Sequence, residues 1–287
     1  MPANAVPSPD IVRDVRNLRA CLRDWRRDGA TMALVPTMGA LHAGHISLVR
    51  EAKRHADRIV VSIFINPAQF APGEDFEAYP RNLEADIAKV AAAGGDLVFA
   101  PNSGELYPPG FAMKLEIGGP AIAGLEDRFR PTHFSGVATV VAKLFNQCRP
   151  DVAVFGEKDY QQLKVIGQMA RDLDFETLVI GAPTVRESDG LAMSSRNVFL
   201  RPKEREVAPR LYQALARCAS EIRDGTLIEK ALANARQSVA AAGFVIDYIE
   251  ALHAETLAPL RAENERPIRL LAAAKIGATR LIDNVPV

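Results

Sequence analysis

The chain has 287 residues, an apolar fraction of 48% and 35 basic against 35 acidic residues. That length supports a large core in two unequal domains, and that apolar content excludes a disordered chain. Zero formal net charge gives no bulk attraction to nucleic acid or to an anionic membrane, and no apolar run approaches the roughly 20 residues of a membrane helix.

Met1 to Asp10 lack the basic-then-apolar pattern of a secretory signal. Asp10 to Arg27 reads as an amphipathic helix, with Val12, Val15, Leu18, Leu22 and Trp25 near one face. Thr31–Val35 is the first strand, and a helix follows from His45 to about His55. Ile59–Ile65, rich in β-branched residues, is the second strand. The stretch Asn66–Pro80, with three prolines and a glycine, predicts an irregular loop. Asn82 caps a helix to about Ala93, and Asp96–Ala100 is a short buried strand. Gly136–Gln147 is helical, Asp151–Phe155 a strand, Lys158–Leu173 a helix and Thr177–Ile180 a strand. This alternation predicts an α/β fold, a Rossmann-like parallel sheet with helices on both faces. Its ligands sit at the carboxyl ends of the strands.

After about Pro183 the rhythm changes. Lys203–Arg223 and Ile228–Ala242 read as helices, Val245–Leu252 and Ile268–Ala274 as strands. The expected division is residues 1–184 and a smaller C-terminal α+β domain, residues 185–287. Cys21, Cys148 and Cys218 are few, odd in number and far apart. They form neither a disulfide framework nor a zinc site, and fit a cytoplasmic protein.

Four stretches carry chemistry. Pro36 to His45, PTMGALHAGH, puts two glycines and two histidines between a strand and a helix. Glycines let the backbone approach a phosphate, and a helix start offers N–H groups and a positive dipole end. A plain scaffold turn has the same local appearance. Phe155 to Gln162, FGEKDYQQ, places Lys158 and Gln162 at i,i+4 spacing, with Asp159 able to cap the helix or take a ribose hydroxyl. A solvated helix start is the alternative. Met193-Ser194-Ser195-Arg196 combines two hydroxyls with a guanidinium, a set suited to a polyphosphate, and otherwise is a polar turn. Asn66, Gln69 and Phe70 mix amides with an apolar wall, as a small hydroxylated acid requires. Arg128, Arg130 and His133 read as surface salt-bridging groups, with added positive charge at the site as the second reading.

Taken in order, PTMGALHAGH, FINPAQF, YPRN, RPTHFSGVATVV, FGEKDYQQL and GLAMSSRN resemble the pantoate–β-alanine ligase family. HxGH alone marks the wider nucleotidyltransferase superfamily; the combination with FGEKDYQQL and MSSRN is far more specific. The resemblance implies two-step ATP-dependent ligation of (R)-pantoate to β-alanine through pantoyl adenylate, with release of pyrophosphate and then AMP. It places Met38, Gly39, His42 and His45 on ATP, His45 being the usual proton donor. It adds Gly156, Glu157, Lys158 and Asp159, then Val185 on adenine, and Met193, Ser194, Ser195 and Arg196 closing over the phosphates. His42, His45, Lys158 and Arg196 would be the catalytic groups. Gln69 and Gln162 would hold pantoate, supported by Asn66 and Phe70. Mg2+ would bridge ATP oxygens, with Asp86 as its protein contact; Ala85 stands where some relatives carry a second acidic residue. A homodimer is implied, with no nucleic-acid or membrane partner.

Three other functions share part of this pattern. Another adenylyl transferase would share His42–His45 but need a second cationic pocket. A tRNA synthetase would need a basic tRNA surface. A nucleotide sensor could dispense with Lys158, Ser194, Ser195 and Arg196, all of which are present.

Overall fold

The computed structural model describes residues 8–71, 73–74 and 76–287. The reading of the first ten residues as signal-free therefore falls, up to Pro7, outside the described residues, as do Pro72 and Asp75 of the expected loop. The chain packs as two units: one runs to Glu157 and adds Val165–Ala182, the other comprises Lys158–Lys164 and Pro183–Val287.

The first unit contains, in chain order, β1 (Asp10–Val12), α1 (Val15–Arg27), β2 (Met32–Thr37), α2 (Ala43–Ala52), β3 (Arg58–Ile63), α3 (Leu83–Ala93) and β4 (Leu97–Phe99). The short helices α4 (Ser103–Leu106) and α5 (Glu126–Phe129) lead to α6 (His133–Cys148), β5 (Val152–Gly156), the part of α7 (Tyr160–Asp172) from Val165 onward, and β6 (Leu178–Ala182). The six strands form one sheet in the order β1-β4-β3-β2-β5-β6, every pair parallel. Ala33, Val35, Ile59, Val61, Val98, Val152 and Val154 share one core with Leu48, Val49 and Ala52 of α2 and Val90 and Ala93 of α3. Met32, Leu34, Val60, Leu97, Phe99 and Phe155 alternate with these, point to the opposite face and are equally buried. Both faces are covered, as an all-parallel sheet requires. From β2 the chain steps to β3 on one side; from β5 it steps to β6 on the other. The crevice expected for a ligand lies where those two strands end.

The second unit contains α8 (Pro202–Val207), α9 (Arg210–Arg223), α10 (Ile228–Ala241) and an antiparallel sheet of β7 (Val245–His253), β8 (Ile268–Ile276) and β9 (Thr279–Pro286), in the order β7-β8-β9. Leu211, Leu215, Ile222, Leu232 and Val239 of its helices bury against Ile249, Leu270, Ala272 and Ala274 of the sheet.

Four expectations change. Asp10–Arg27 is not one helix. Asp10–Val12 pairs with β4, and Asp14 caps a helix beginning at Val15 by accepting from Asn17 N at 2.8 Å. The Lys203–Arg223 helix is two, because Pro209 has no N–H to continue the ladder. The helix placed from Lys158 starts at Tyr160; Glu157–Asp159 form a 3-10 turn before it. The last strand, β9, was not expected. Asp283 and Asn284 sit buried in it and break its apolar pattern.

Candidate active site

The turn after β2 is held by a buried carboxylate. Gly39 (φ 83°) and Ala40 (φ 50°) both take left-handed backbone. Asp86, on the first turns of α3 and 1% exposed, accepts from Ala40 N at 2.9 Å and from Leu41 N at 2.8 Å. Lys89, one turn on, lies 3.9 Å from Asp86 and donates to Leu41 O at 2.7 Å. A Cβ at residue 39 would stand 3.1 Å from Asp86 Oδ2 and 3.3 Å from Ile63 Cγ2. Glycine is thus needed there for conformation and for space. The expected magnesium contact has both carboxylate oxygens on main-chain N–H groups. Among the described residues no three His, Cys, Asp or Glu side chains cluster as a metal site.

The two histidines cap α2 reciprocally. His42 is its N-cap and accepts from Gly44 N at 3.1 Å through Nδ1. His45 Nδ1 accepts from His42 N at 3.3 Å. The rings lie 4.1 Å apart, tilted by 48°. A backbone N–H only donates, so Nδ1 of each ring carries no hydrogen, and Nε2 is the N–H of each neutral imidazole. The signature therefore presents two Nε2–H donors at a helix start without any need for a formal charge.

The Asn66–Phe70 segment is built as tightly. Asn66 and Gln69 are buried. Asn66 Oδ1 accepts from Ala68 N at 3.2 Å, and its Nδ2 donates to Gly136 O at 3.2 Å. Those two backbone groups fix which way the amide faces. Tyr107 adds a donor to the same Oδ1 at 2.7 Å; burial pushes its phenol up to about 12, so it keeps its proton. Asn66 Nδ2 then also meets Gln69 Oε1 at 3.0 Å, leaving Gln69 to present its NH2, which lies 3.1 Å from Met38 Sδ. Phe70 packs edge-on against Phe76 and Tyr79. Helix α6 crosses this turn so closely that a Cβ on Gly136 would fall 2.1 Å from Ala68 O.

In the second unit β9 braces both segments expected to meet phosphate. Asn284 Nδ2 donates to Lys158 O at 3.0 Å, while its Oδ1 accepts from Arg269 Nε at 2.7 Å. The Arg269 guanidinium lies 4.0 Å over the Tyr160 ring. The neighbouring Asp283 takes both arms of Arg186, at 2.6 and 2.8 Å. Arg186 stacks on Tyr212 at 3.7 Å and donates to Gly190 O. Across that loop Met193 N donates to Val185 O at 3.0 Å, and Arg186 bridges Ala192. Ser194 caps the 3-10 turn Ser195–Phe199 through Arg196 N at 3.3 Å. Lys158 Nζ has Asp159 4.0 Å away. Gln162 lies half-buried on the first turn of α7.

Met38, Gly39, His42, His45, Asn66 and Gln69 are thus joined by bonded turns in the first unit, where Gly156 and Glu157 also lie. Lys158, Asp159, Gln162, Val185, Met193, Ser194, Ser195 and Arg196 belong to the second. Sequence reasoning missed Tyr107, Arg186, Asp283 and Asn284. The signal available was a polar pair, Asp283-Asn284, inside an apolar carboxyl-terminal stretch.

A family model described as pantoate-beta-alanine ligase matches residues 10–286. The chain belongs to the pantoate–β-alanine ligase family. It is 60% identical over 280 residues to pantothenate synthetase 2 of Bradyrhizobium diazoefficiens, covering 98% of this chain and 99% of that protein. The crystal structure of pantothenate synthetase from Thermus thermophilus superposes with a TM-score of 0.91 at 46% identity, covering 96% of this chain and 98% of that one. That of pantoate-beta-alanine ligase from Francisella tularensis, complexed with beta-gamma ATP and beta-alanine, gives 0.80 at 33% identity, covering 97% of each. The chain is accordingly a pantoate–β-alanine ligase, an ATP-dependent enzyme that condenses pantoate with β-alanine to pantothenate. Among the described residues no helix is long and apolar enough to cross a membrane.

Proposed function

We propose that this ligase activates pantoate by adenylation. The pantoate carboxylate attacks the α-phosphorus of ATP, forming a P–O bond as the bond to pyrophosphate breaks. The amine of β-alanine then attacks the acyl carbon; an amide forms, the bond to AMP breaks and the amine gives up its proton. A carboxylate is a poor acylating agent, and AMP is the leaving group it lacks. The protein's task is to neutralise charge at the α-phosphate and on departing pyrophosphate while holding the reactants in line.

The observation that carries this reading is the paired cap at His42 and His45, which makes each Nε2 a hydrogen-bond donor. In the proposal both donate to the phosphate chain as neutral rings, with Met38 and Gly39 lining the ATP site. Lys158, Ser194, Ser195 and Arg196 take the other phosphate oxygens, and Gly156 and Glu157 the adjoining backbone. Asp159 takes the ribose and Val185 the adenine, while Met193 closes over the phosphates with Ser194, Ser195 and Arg196. Gln69 and Gln162 bind pantoate, with Asn66 and Phe70 shaping its pocket. Mg2+ would arrive with ATP, since it favours phosphates over an all-protein cage, and would spread charge as pyrophosphate leaves, with Asp86 holding the turn. The enzyme is proposed to act in the cytoplasm as a homodimer, the former supported by three unpaired cysteines.

The test is to incubate purified enzyme with ATP, magnesium and pantoate, then add β-alanine. Pyrophosphate is expected before the amine arrives, and pantothenate only after. Pyrophosphate that appears only with β-alanine would overturn the adenylate. A companion measurement concerns His45. In His45→Gln the pH–rate profile should keep the wild-type acidic limb at a lower rate, because the neutral ring only donates. Loss of that limb would assign proton transfer to His45 instead.

A further inference from the structure

The Gln69 segment is held from behind as well as from within. Its main-chain oxygen takes two donors from the corner between α5 and α6: His133 Nδ1 at 2.9 Å and Arg130 Nη2 at 3.3 Å. The acceptor is a carbonyl, so Nδ1 bears the hydrogen. The second ring nitrogen, Nε2, faces Arg130 Nη1 at 3.3 Å. A guanidinium only donates, so Nε2 accepts, and the ring is neutral in one defined tautomer. Arg130 in turn lies fork to fork on Glu74, at 2.7 Å from Nε and 2.9 Å from Nη2, with Glu126 at 3.9 Å. His133 is buried, and the Arg130 side chain is only 16% exposed.

Two sequence readings of this corner therefore change. His133 and Arg130 are not surface salt-bridging groups, and Arg130 is not a spare cation for the site, since its charge is matched by Glu74. Arg128 alone keeps the surface reading, exposed beside Phe129. What the corner does is tie residues 69 and 74 to the start of α6, the helix whose Gly136 already touches residues 68 and 69. The Gln69 side chain is oriented by Asn66, but that orientation is useful only if its own backbone stays still.

We propose that His133, backed by Arg130 and Glu74, is a positioning residue for the acid substrate: it fixes the main chain at Gln69 so that the Gln69 NH2 is presented to pantoate. This rests on the assignment of Gln69 to pantoate. His133 acts through Gln69 and touches no reacting atom. The chemistry also defines what can replace it, namely a side chain with an N–H at the Nδ1 position and no charge.

The experiment is steady-state kinetics on the full chain, with pantoate, β-alanine and ATP varied in turn. His133→Phe keeps a ring but removes the donor. It is expected to raise KM for pantoate about 10-fold, the worth of one hydrogen bond, with KM for ATP within about 2-fold of wild type. His133→Asn restores the donor and most of the pantoate KM. Arg130→Lys keeps the charge on Glu74 but loses the fork, and gives a smaller shift of the same sign; it decides the matter should His133→Phe not fold. In a Gln69→Ala background His133→Phe adds less than about 2-fold. Equal changes in the KM for ATP and for pantoate would overturn the proposal. So would His133→Asn no better than His133→Phe, or losses that multiply in the Gln69→Ala background. An unchanged pantoate KM in Gln69→Ala alone would instead overturn the assignment of Gln69, and the positioning claim with it.

Discussion

Asp86 shows how one side chain sets the turn after β2. It lies some 45 residues from the turn it holds, and each oxygen meets one backbone N–H. In Asp86→Asn, one of those N–H groups must face an NH2. A buried donor without an acceptor costs about 1–3 kcal/mol, so urea denaturation should show a loss of that size, with adenylation slowed in the folded fraction. A loss under about 0.5 kcal/mol would show that the turn holds without the carboxylate. His133 gives a second prediction, in pH. Burial first, and the Arg130 charge second, push its imidazole down to about 4. The unfolded chain then binds more protons between about pH 4 and 6.5, so stability rises with pH through that window. The contribution is full above the upper limit and falls away on acidification. About 2 kcal/mol should vanish between pH 7.5 and pH 5 in the wild type. His133→Asn should flatten that part of the profile; an identical slope in both would place the titration elsewhere. Neither residue's part was legible in the sequence. Asp86 enters from the resemblance as a magnesium contact, and an Arg-Pro-Thr-His run reads as surface, because the groups that bury them come from distant segments.

Among elements, α6 and the Asn66–Phe70 segment pack backbone against backbone. A Cβ on Gly136 would lie 2.1 Å from Ala68 O and 2.4 Å from Ala68 C. Backbone cannot swing aside as a flexible side chain can, so the helix or the turn must move. Gly136→Ala should therefore raise KM for pantoate by at least about 10-fold even though alanine favours a helix. Wild-type pantoate kinetics in that variant would contradict the contact. The clasp of Arg186 on Asp283 makes the matching case in the second unit. Arg186→Lys keeps the charge but loses the bidentate fork and the stacking on Tyr212. It should weaken ATP binding in calorimetry about 10-fold and spare pantoate. Most elements themselves were legible. Asn82 before α3 and β-branched residues in β3 announce their structures locally. The β1 strand was not legible, since three residues cannot show a period and their partner, β4, lies 87 positions along.

For the whole molecule, the alternation of strand and helix predicts the parallel sheet, and the strand order β1-β4-β3-β2-β5-β6 follows it. The ends of β2 and β5 then lie side by side, which places the histidine turn and the Gly156 turn at one end of one sheet. Motif order carried the family, and the match over residues 10–286 bears it out. What motif order could not carry is the bracing. Asp86, Tyr107, His133, Asp283 and Asn284 act through contacts between residues far apart in sequence; the Asp283-Asn284 polar pair marks a break in an apolar stretch, but spacing does not name the partners. The signature residues are proposed to serve the phosphates rather than the transfer to the amine. Isotope exchange between pyrophosphate and ATP, with pantoate present and β-alanine absent, distinguishes the two when wild type is compared with Lys158→Ala. The exchange should fall at least about 100-fold, while conversion of supplied pantoyl adenylate and β-alanine to pantothenate stays near the wild-type rate. Near-normal exchange with a crippled second step would instead place Lys158 in amide formation.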